Sequence, residues 1–108
     1  MKYWDVVYTE EAEKDRDALD NSAKIHVLKA IRKVSQNPLP KSEGGYGDPL
    51  GNKIGSNLTG LCKVKLKKLG IRVVYKVFRD GDIMRIIVIA ARADNEVYEI
   101  WSKRISGK

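Results

Sequence analysis

Leu61-Cys62-Lys63-Val64-Lys65-Leu66-Lys67-Lys68-Leu69-Gly70-Ile71-Arg72-Val73-Val74-Tyr75-Lys76-Val77-Phe78 is the stretch whose reading decides the fold. Apolar and cationic residues alternate along it, the period-two signature of strands with one buried face. Cys62, Val64 and Leu66 point one way, and Lys63, Lys65 and Lys67 the other. Gly70 turns the chain into a second strand, where Val73, Tyr75 and Val77 oppose Arg72, Val74 and Lys76. Asp80-Gly81 is a strong two-residue hairpin signal. The strand after it, residues 83–91, is apolar on both faces, as expected of a central strand. The result is a meander with one hydrophobic side and one side lined with cations.

Upstream, residues 3–8 (Tyr-Trp-Asp-Val-Val-Tyr) are aromatic and β-branched, which suits a strand. Thr9 can cap a short helix that runs to about Leu19, with Glu10 and Glu11 favouring its N-terminus. Asp20-Asn21-Ser22 breaks the chain and can cap a second helix, in which Ala23, Val27, Ile31 and Val34 recur at helical spacing. Together they make a helical hairpin with one buried side. His26 projects away from that stripe and reads as a surface residue. Residues 38–60 hold all three prolines and six of the nine glycines, and read as a long surface loop. Its Gly51-Asn52-Lys53 lacks the flanking residues of a phosphate loop. Downstream, Asp94 or Asn95 can cap a last helix over residues 95–106, acidic at its start and basic at its end. The order is β-α-α-β-β-β-α, a single α+β domain over residues 1–108 with a mainly antiparallel sheet.

At 108 residues the chain is long enough for one core. The longest apolar run, residues 86–91, is far short of the roughly 20 residues of a membrane span, and neither end reads as a targeting signal. A soluble, cytoplasmic protein is expected. One cysteine and one histidine compose no recognisable zinc motif, so no metal and no cofactor are expected. Cys62 alternates in phase with Val64 and Leu66 and reads as a core residue.

Charge is more informative. Residues 1–60 carry nine cations and nine carboxylates; residues 61–108 carry twelve and five, so the entire net charge of +7 lies in the second part. Basicity confined to one part, and there to one face of the strands, favours a polyanion or an acidic protein as partner. Lys63 and Lys65 share a face, and a short hairpin can bring Arg72 alongside. Arg92 closes the third strand, and Tyr98 returns from the following helix. Four cations and a phenol without an acidic residue among them suit a phosphodiester whose transition state gains negative charge. Tyr98 can stack on a base. Three readings stay open on these residues alone: catalysis on a phosphodiester, plain binding of RNA or DNA by a basic module, and docking of an acidic protein.

The motifs Lys63-Val64-Lys65-Leu66, Gly70-Ile71-Arg72-Val73-Val74-Tyr75-Lys76-Val77, and Arg92 followed by Glu96-Val97-Tyr98 together resemble the RelE branch of the RelE/ParE toxin family. The similarity extends through the element order of nearly the whole chain. It implies the toxin of a type II toxin–antitoxin system, a ribosome-dependent mRNA endoribonuclease that acts in the A site without a metal. In that family the 2′-hydroxyl attacks the adjacent phosphate, leaving a cyclic phosphate and a 5′-hydroxyl. By that resemblance Lys63 and Arg72 hold the phosphate, Lys65 helps to activate the 2′-hydroxyl, Arg92 stabilises charge near the leaving oxygen, and Tyr98 orients the nucleotide. Lys67, Lys68 and Lys76 are left for contact with the RNA backbone.

A lysine near its reference pKa of about 10.4 is a poor base at neutral pH. The isolated chain is therefore expected to be a weak nuclease that relies on positioning by the ribosome. The resemblance also implies a cognate antitoxin, through which alone operator DNA would be contacted. The runner-up in the same superfamily is a ParE-like inhibitor of DNA gyrase, a branch that generally lacks the full basic set. Two points depart from compact members: the length of the 38–60 segment, and a C-terminal helix able to cover part of the basic face.

Overall fold

Thr9 and Asp20 start the two helices as read from the sequence. The Thr9 hydroxyl accepts the Ala12 N–H at 3.1 Å and the Asp20 carboxylate accepts that of Ala23 at 2.8 Å, each satisfying an N–H that the first helical turn leaves unpaired. The computed structural model describes residues 3–53, 56–91, 99–100 and 103–104, except for the side chains of residues 50–60. Its elements are β1 (Asp5–Tyr8), α1 (Glu10–Asp17), α2 (Asn21–Val34), a short 3-10 helix (Lys41–Glu43), β2 (Asp48–Lys53), β3 (Ser56–Leu66), β4 (Ile71–Phe78) and β5 (Ile83–Ala90). Residues 99, 100, 103 and 104 are helical; most of the expected helix over 95–106, with Arg92 and Tyr98, lies outside the described residues.

The five strands form one sheet in the order β1-β5-β4-β3-β2. The meander β3-β4-β5 is antiparallel, and β1 adds to β5 in parallel. The α+β architecture expected from the sequence holds. Val27 and Ile31 of α2 and Ala12 of α1 pack on Cys62, Val73, Tyr75, Met84 and Ile86, with Val64 and Leu66 at the margin. The predicted inward phase of β3 and β4 is therefore correct.

The far face carries a smaller apolar cluster of Leu61, Val74, Ile87 and Val88, on which Ile100 rests. Strand β5 supplies both clusters through a bulge. The register passes from Val74↔Val88 to Tyr75↔Ile86, so Ile87 is the extra residue. The bulge shifts the alternation by one. Where β1 stops, other groups take up the edge of β5. Asp15 of α1 accepts the Ile89 N–H at 3.1 Å, and Arg104 donates to the Ile87 carbonyl at 2.7 Å.

The stretch 38–60 corrects the sequence reading. It is not a loop throughout: it holds the 3-10 helix, all of β2 and the first part of β3. Strand β2 pairs with β3 from Asp48↔Lys63 to Lys53↔Ser56, with an irregularity between Pro49 and Gly51. A strand containing Pro49 and Gly51 escapes a propensity reading. It is tolerated because β2 is the outermost strand, where a missing N–H and a kink disturb one ladder only. The segment before it is pinned from beneath, since the Tyr75 hydroxyl donates to the Pro38 carbonyl at 2.7 Å. Burial pushes the Tyr75 phenol far above its ordinary range and raises the neighbouring Cys62 thiol as well. Cys62 is buried and free, as its phase suggests. Among the described residues, no helix is long and apolar enough to cross a membrane.

Candidate nucleic-acid interface

The register of β3 against β4 builds the basic face. Lys65 pairs with Arg72, and Lys63 with Val74, so both lysines and the arginine lie on the far side of the sheet, away from the helices. Directly paired residues have their Cβ atoms about 5 Å apart, and Lys63 stands one repeat along the same face. Lys65 is exposed, while Lys63 and Arg72 are half-buried. Arg72 pairs on its other side with Ala90, and Val74 with Val88. The three cations thus border an apolar floor, where a charge interacts more strongly than it would in bulk water.

Ile100 packs against that floor. The C-terminal helical residues therefore rest on the far face, as the sequence reading allowed, over the row that includes Val74 and Val88. Arg104 anchors them by an ion pair to Asp15 at 2.8 Å.

One expectation about the electrostatics is corrected. The sequence reads as cations converging without a carboxylate, but the register sets Asp48 directly beside Lys63. The sequence concealed this because β2 was not legible as a strand. Asp48 also binds Lys41 at 2.9 Å, so a carboxylate stands on the β2 side of the face.

The remaining candidates separate. Lys67 and Lys68 are exposed in the β3–β4 turn and share a shallow groove with His26, Leu66 and Leu69. They stand past the end of the sheet, toward α2. His26 is exposed, as expected. Lys76 lies on the far face but four residues along β4 from Arg72, paired with Arg85 of β5. The sequence reading passed over Arg85. Its signal was its isolation, the one charge within the apolar run Ile83–Ala90. Arg92 and Tyr98 lie outside the described residues.

No family model matches the chain. It is 27% identical over 105 residues to a protein of Escherichia coli named "Putative RelE-like toxin protein", covering 97% of this chain and 99% of that one. The fold matches the isolated RelE toxin of E. coli with a TM-score of 0.68 at 22% identity, covering 94% of this chain and 98% of that one. A mutant of the same toxin in the free state matches with a TM-score of 0.73 at 21% identity, over 96% and 99% of the two chains. A chain of the RelBE2 toxin–antitoxin complex of Mycobacterium tuberculosis matches with a TM-score of 0.67 at 22% identity, over 87% and 97%. The resemblance drawn from the sequence is thus met by a full-length relative at 27% identity and by the fold, which is that of the RelE toxin.

Proposed function

We propose that this RelE-like chain is the toxin of a toxin–antitoxin pair and a metal-independent endoribonuclease that cleaves mRNA in the ribosomal A site. The observation that carries the reading is the cross-strand pairing of Lys65 with Arg72, with Lys63 on the same face. These three residues belong to the motif on which the family resemblance rests. Lys63 and Arg72 grip the scissile phosphate and offset the charge that builds on its oxygens. Lys65 orients and activates the 2′-hydroxyl. That oxygen loses its proton as it attacks the adjacent phosphorus, the bond to the 5′-oxygen breaks, and the departing oxygen takes up a proton from water, so the products are a 2′,3′-cyclic phosphate and a 5′-hydroxyl end. Arg92 stabilises the leaving oxygen by its fixed charge rather than by giving up a proton. Tyr98 stacks on the nucleotide.

With no histidine or carboxylate assigned to proton transfer, the rate depends on how the ribosome aligns the 2′-hydroxyl with the phosphate. Inhibition of translation follows from loss of the message, and the cytoplasm is the compartment in which it acts. The partner that restrains it is a cognate antitoxin, which alone carries any operator-binding part.

The test is cleavage of mRNA on translating ribosomes by the intact chain and by Arg72→Ala and Arg92→Ala. Wild type is expected to cut A-site codons, and each variant to lose most of that activity. Equal cutting by all three overturns the site assignment. Inhibition of DNA supercoiling without RNA cleavage identifies a gyrase inhibitor instead.

A further inference from the structure

Lys76 and Arg85 face each other directly across β4 and β5. Both are exposed, and neither has an ion-pair partner among the described residues. Like charges in direct opposition weaken a sheet, so the pairing of the two cations itself costs the fold stability. Beside it the Lys76 ammonium lies 5.4 Å from the centre of the Phe78 ring. Together with Thr9, Glu11, Ile87 and Arg104 these groups line a cleft of about 150 Å³. Arg104 is already committed to Asp15 and the Ile87 carbonyl, and Glu11 adds one negative charge at the rim. There remain two cations without an ion-pair partner among the described residues, and an aromatic ring, over an apolar floor.

This cleft is separate from the Lys65–Arg72 pair. Lys76 stands four positions along β4 from Arg72, about 13 Å of strand, and Ile100 rests on the apolar residues between the two ends. We propose that Lys76, Arg85 and Phe78 form a second RNA subsite, in which the cations hold backbone phosphate and the ring stacks on an adjacent base. The assignment rests on the reading of this chain as an RNA-directed toxin and extends it to a contact away from the cleavage point. The phosphate can come from the strand that is cut or from the RNA of the ribosome, and the two sources are separable by experiment.

The test is equilibrium binding of the full chain to a short labelled single-stranded RNA and, separately, to purified ribosomes, over a range of salt concentrations. Lys76→Gln/Arg85→Gln keeps the aliphatic stems while removing both charges. It is expected to bind roughly tenfold more weakly, with the slope of log affinity against log salt reduced by about 1.4 on a single strand, since each phosphate contact contributes about 0.7. Phe78→Leu is expected to weaken binding with the slope unchanged, because stacking releases no counterions.

Loss on the free strand assigns the subsite to the substrate RNA. Loss on ribosomes alone assigns it to ribosomal RNA. Unchanged affinity and slope on both overturn the proposal, as does a loss seen only in binding of an acidic protein partner. The thermal midpoint of the Gln variant should not fall, since a like-charge pair has been relieved; a fall marks a structural role and also overturns it. Binding is read without cleavage, so the outcomes are independent. A wild-type chain that fails to cut while the Gln variant loses RNA affinity sinks the nuclease reading alone, and normal cutting with unaltered binding sinks the subsite alone.

Discussion

Lys65 and Arg72 oppose each other across the β3–β4 pair, an arrangement that a sheet selected only for stability would avoid. Two cations in cross-strand register repel by a few tenths of a kcal/mol or more. Lys65→Ala should therefore separate activity from stability. Cleavage on translating ribosomes is expected to fall at least a hundredfold, an order-of-magnitude loss for a positioned proton-transfer group. The midpoint of urea unfolding should stay level or rise slightly. Unfolding at lower urea together with the loss of activity would mean that Lys65 supports the sheet and not the chemistry.

Arg104 is the second place where one residue decides an arrangement. It reaches Asp15 at 2.8 Å and the Ile87 carbonyl at 2.7 Å, with both ionic side chains only about one fifth exposed. Charge-assisted hydrogen bonds of this kind contribute about 1.5–3 kcal/mol each when neither partner is well solvated. Arg104→Ala is expected to cost about 2 kcal/mol, and to leave Asp15 and the bulge carbonyl without their donor. Hydrogen exchange should report it locally, with faster exchange at the Ile89 amide, whose acceptor is Asp15. Protection at Ile89 equal to wild type would show that α1 holds the β5 edge without the C-terminal residues.

How much of this was legible depended on whether a local pattern carried the signal. The alternation from Cys62 to Lys76 gave the two faces of β3 and β4, because a half-buried strand writes its burial directly into its sequence. Asp80-Gly81 marked the place of the turn but not its length: four residues, 79–82, join the paired Phe78 and Ile83, with positive φ values of 92° at Gly81 and 52° at Asp82. Strand β2 was not legible, since Asp48-Pro49-Leu50-Gly51 has neither β propensity nor alternation and pairs only because β3 offers it an edge. That single omission hid Asp48 from the account of the basic face. Arg85 was passed over for a related reason. Its importance comes from pairing with Lys76 on another strand, and a cross-strand neighbour is set by register, which the bulge at Ile87 shifts.

Gly47 is fixed by what lies beneath it. A Cβ at this position would strike the Tyr75 hydroxyl and stand 3.0 Å from both the Cys62 sulfur and the Pro38 carbonyl oxygen. Gly47→Ala must therefore displace the hydroxyl from Pro38 or lift the segment that leads into β2. Overpacking of a close-packed site costs typically about 1–3 kcal/mol, and a buried carbonyl left unpaired adds to it. A loss of about 3 kcal/mol in urea unfolding is expected. Lys63 should move with β2, so RNA affinity should fall as well. A variant as stable as wild type would show that the Tyr75–Pro38 contact does not hold the segment in place.

Tyr75 itself makes the pH dependence predictable. Its phenol is buried and held un-ionised, with its pKa raised far above 10 by desolvation first and by the nearby Cys62 second. In the unfolded chain the same group ionises near its reference value of about 10. The folded state then binds a proton that the unfolded state has released, so stability is fully present below about pH 10 and declines above it. The slope for one such group approaches about 1.4 kcal/mol per pH unit. Tyr75→Phe removes this proton and also the donor to Pro38, whose carbonyl is left unpaired at a cost of about 1–3 kcal/mol. Urea unfolding from about pH 8 to about pH 11 should therefore show a less stable variant at the lower end and a shallower alkaline decline, so that the two curves converge. Contributions common to the two proteins cancel in the difference. Curves that run parallel throughout would mean that Tyr75 ionises freely in the folded protein, and that the Pro38 contact does not shield it from solvent.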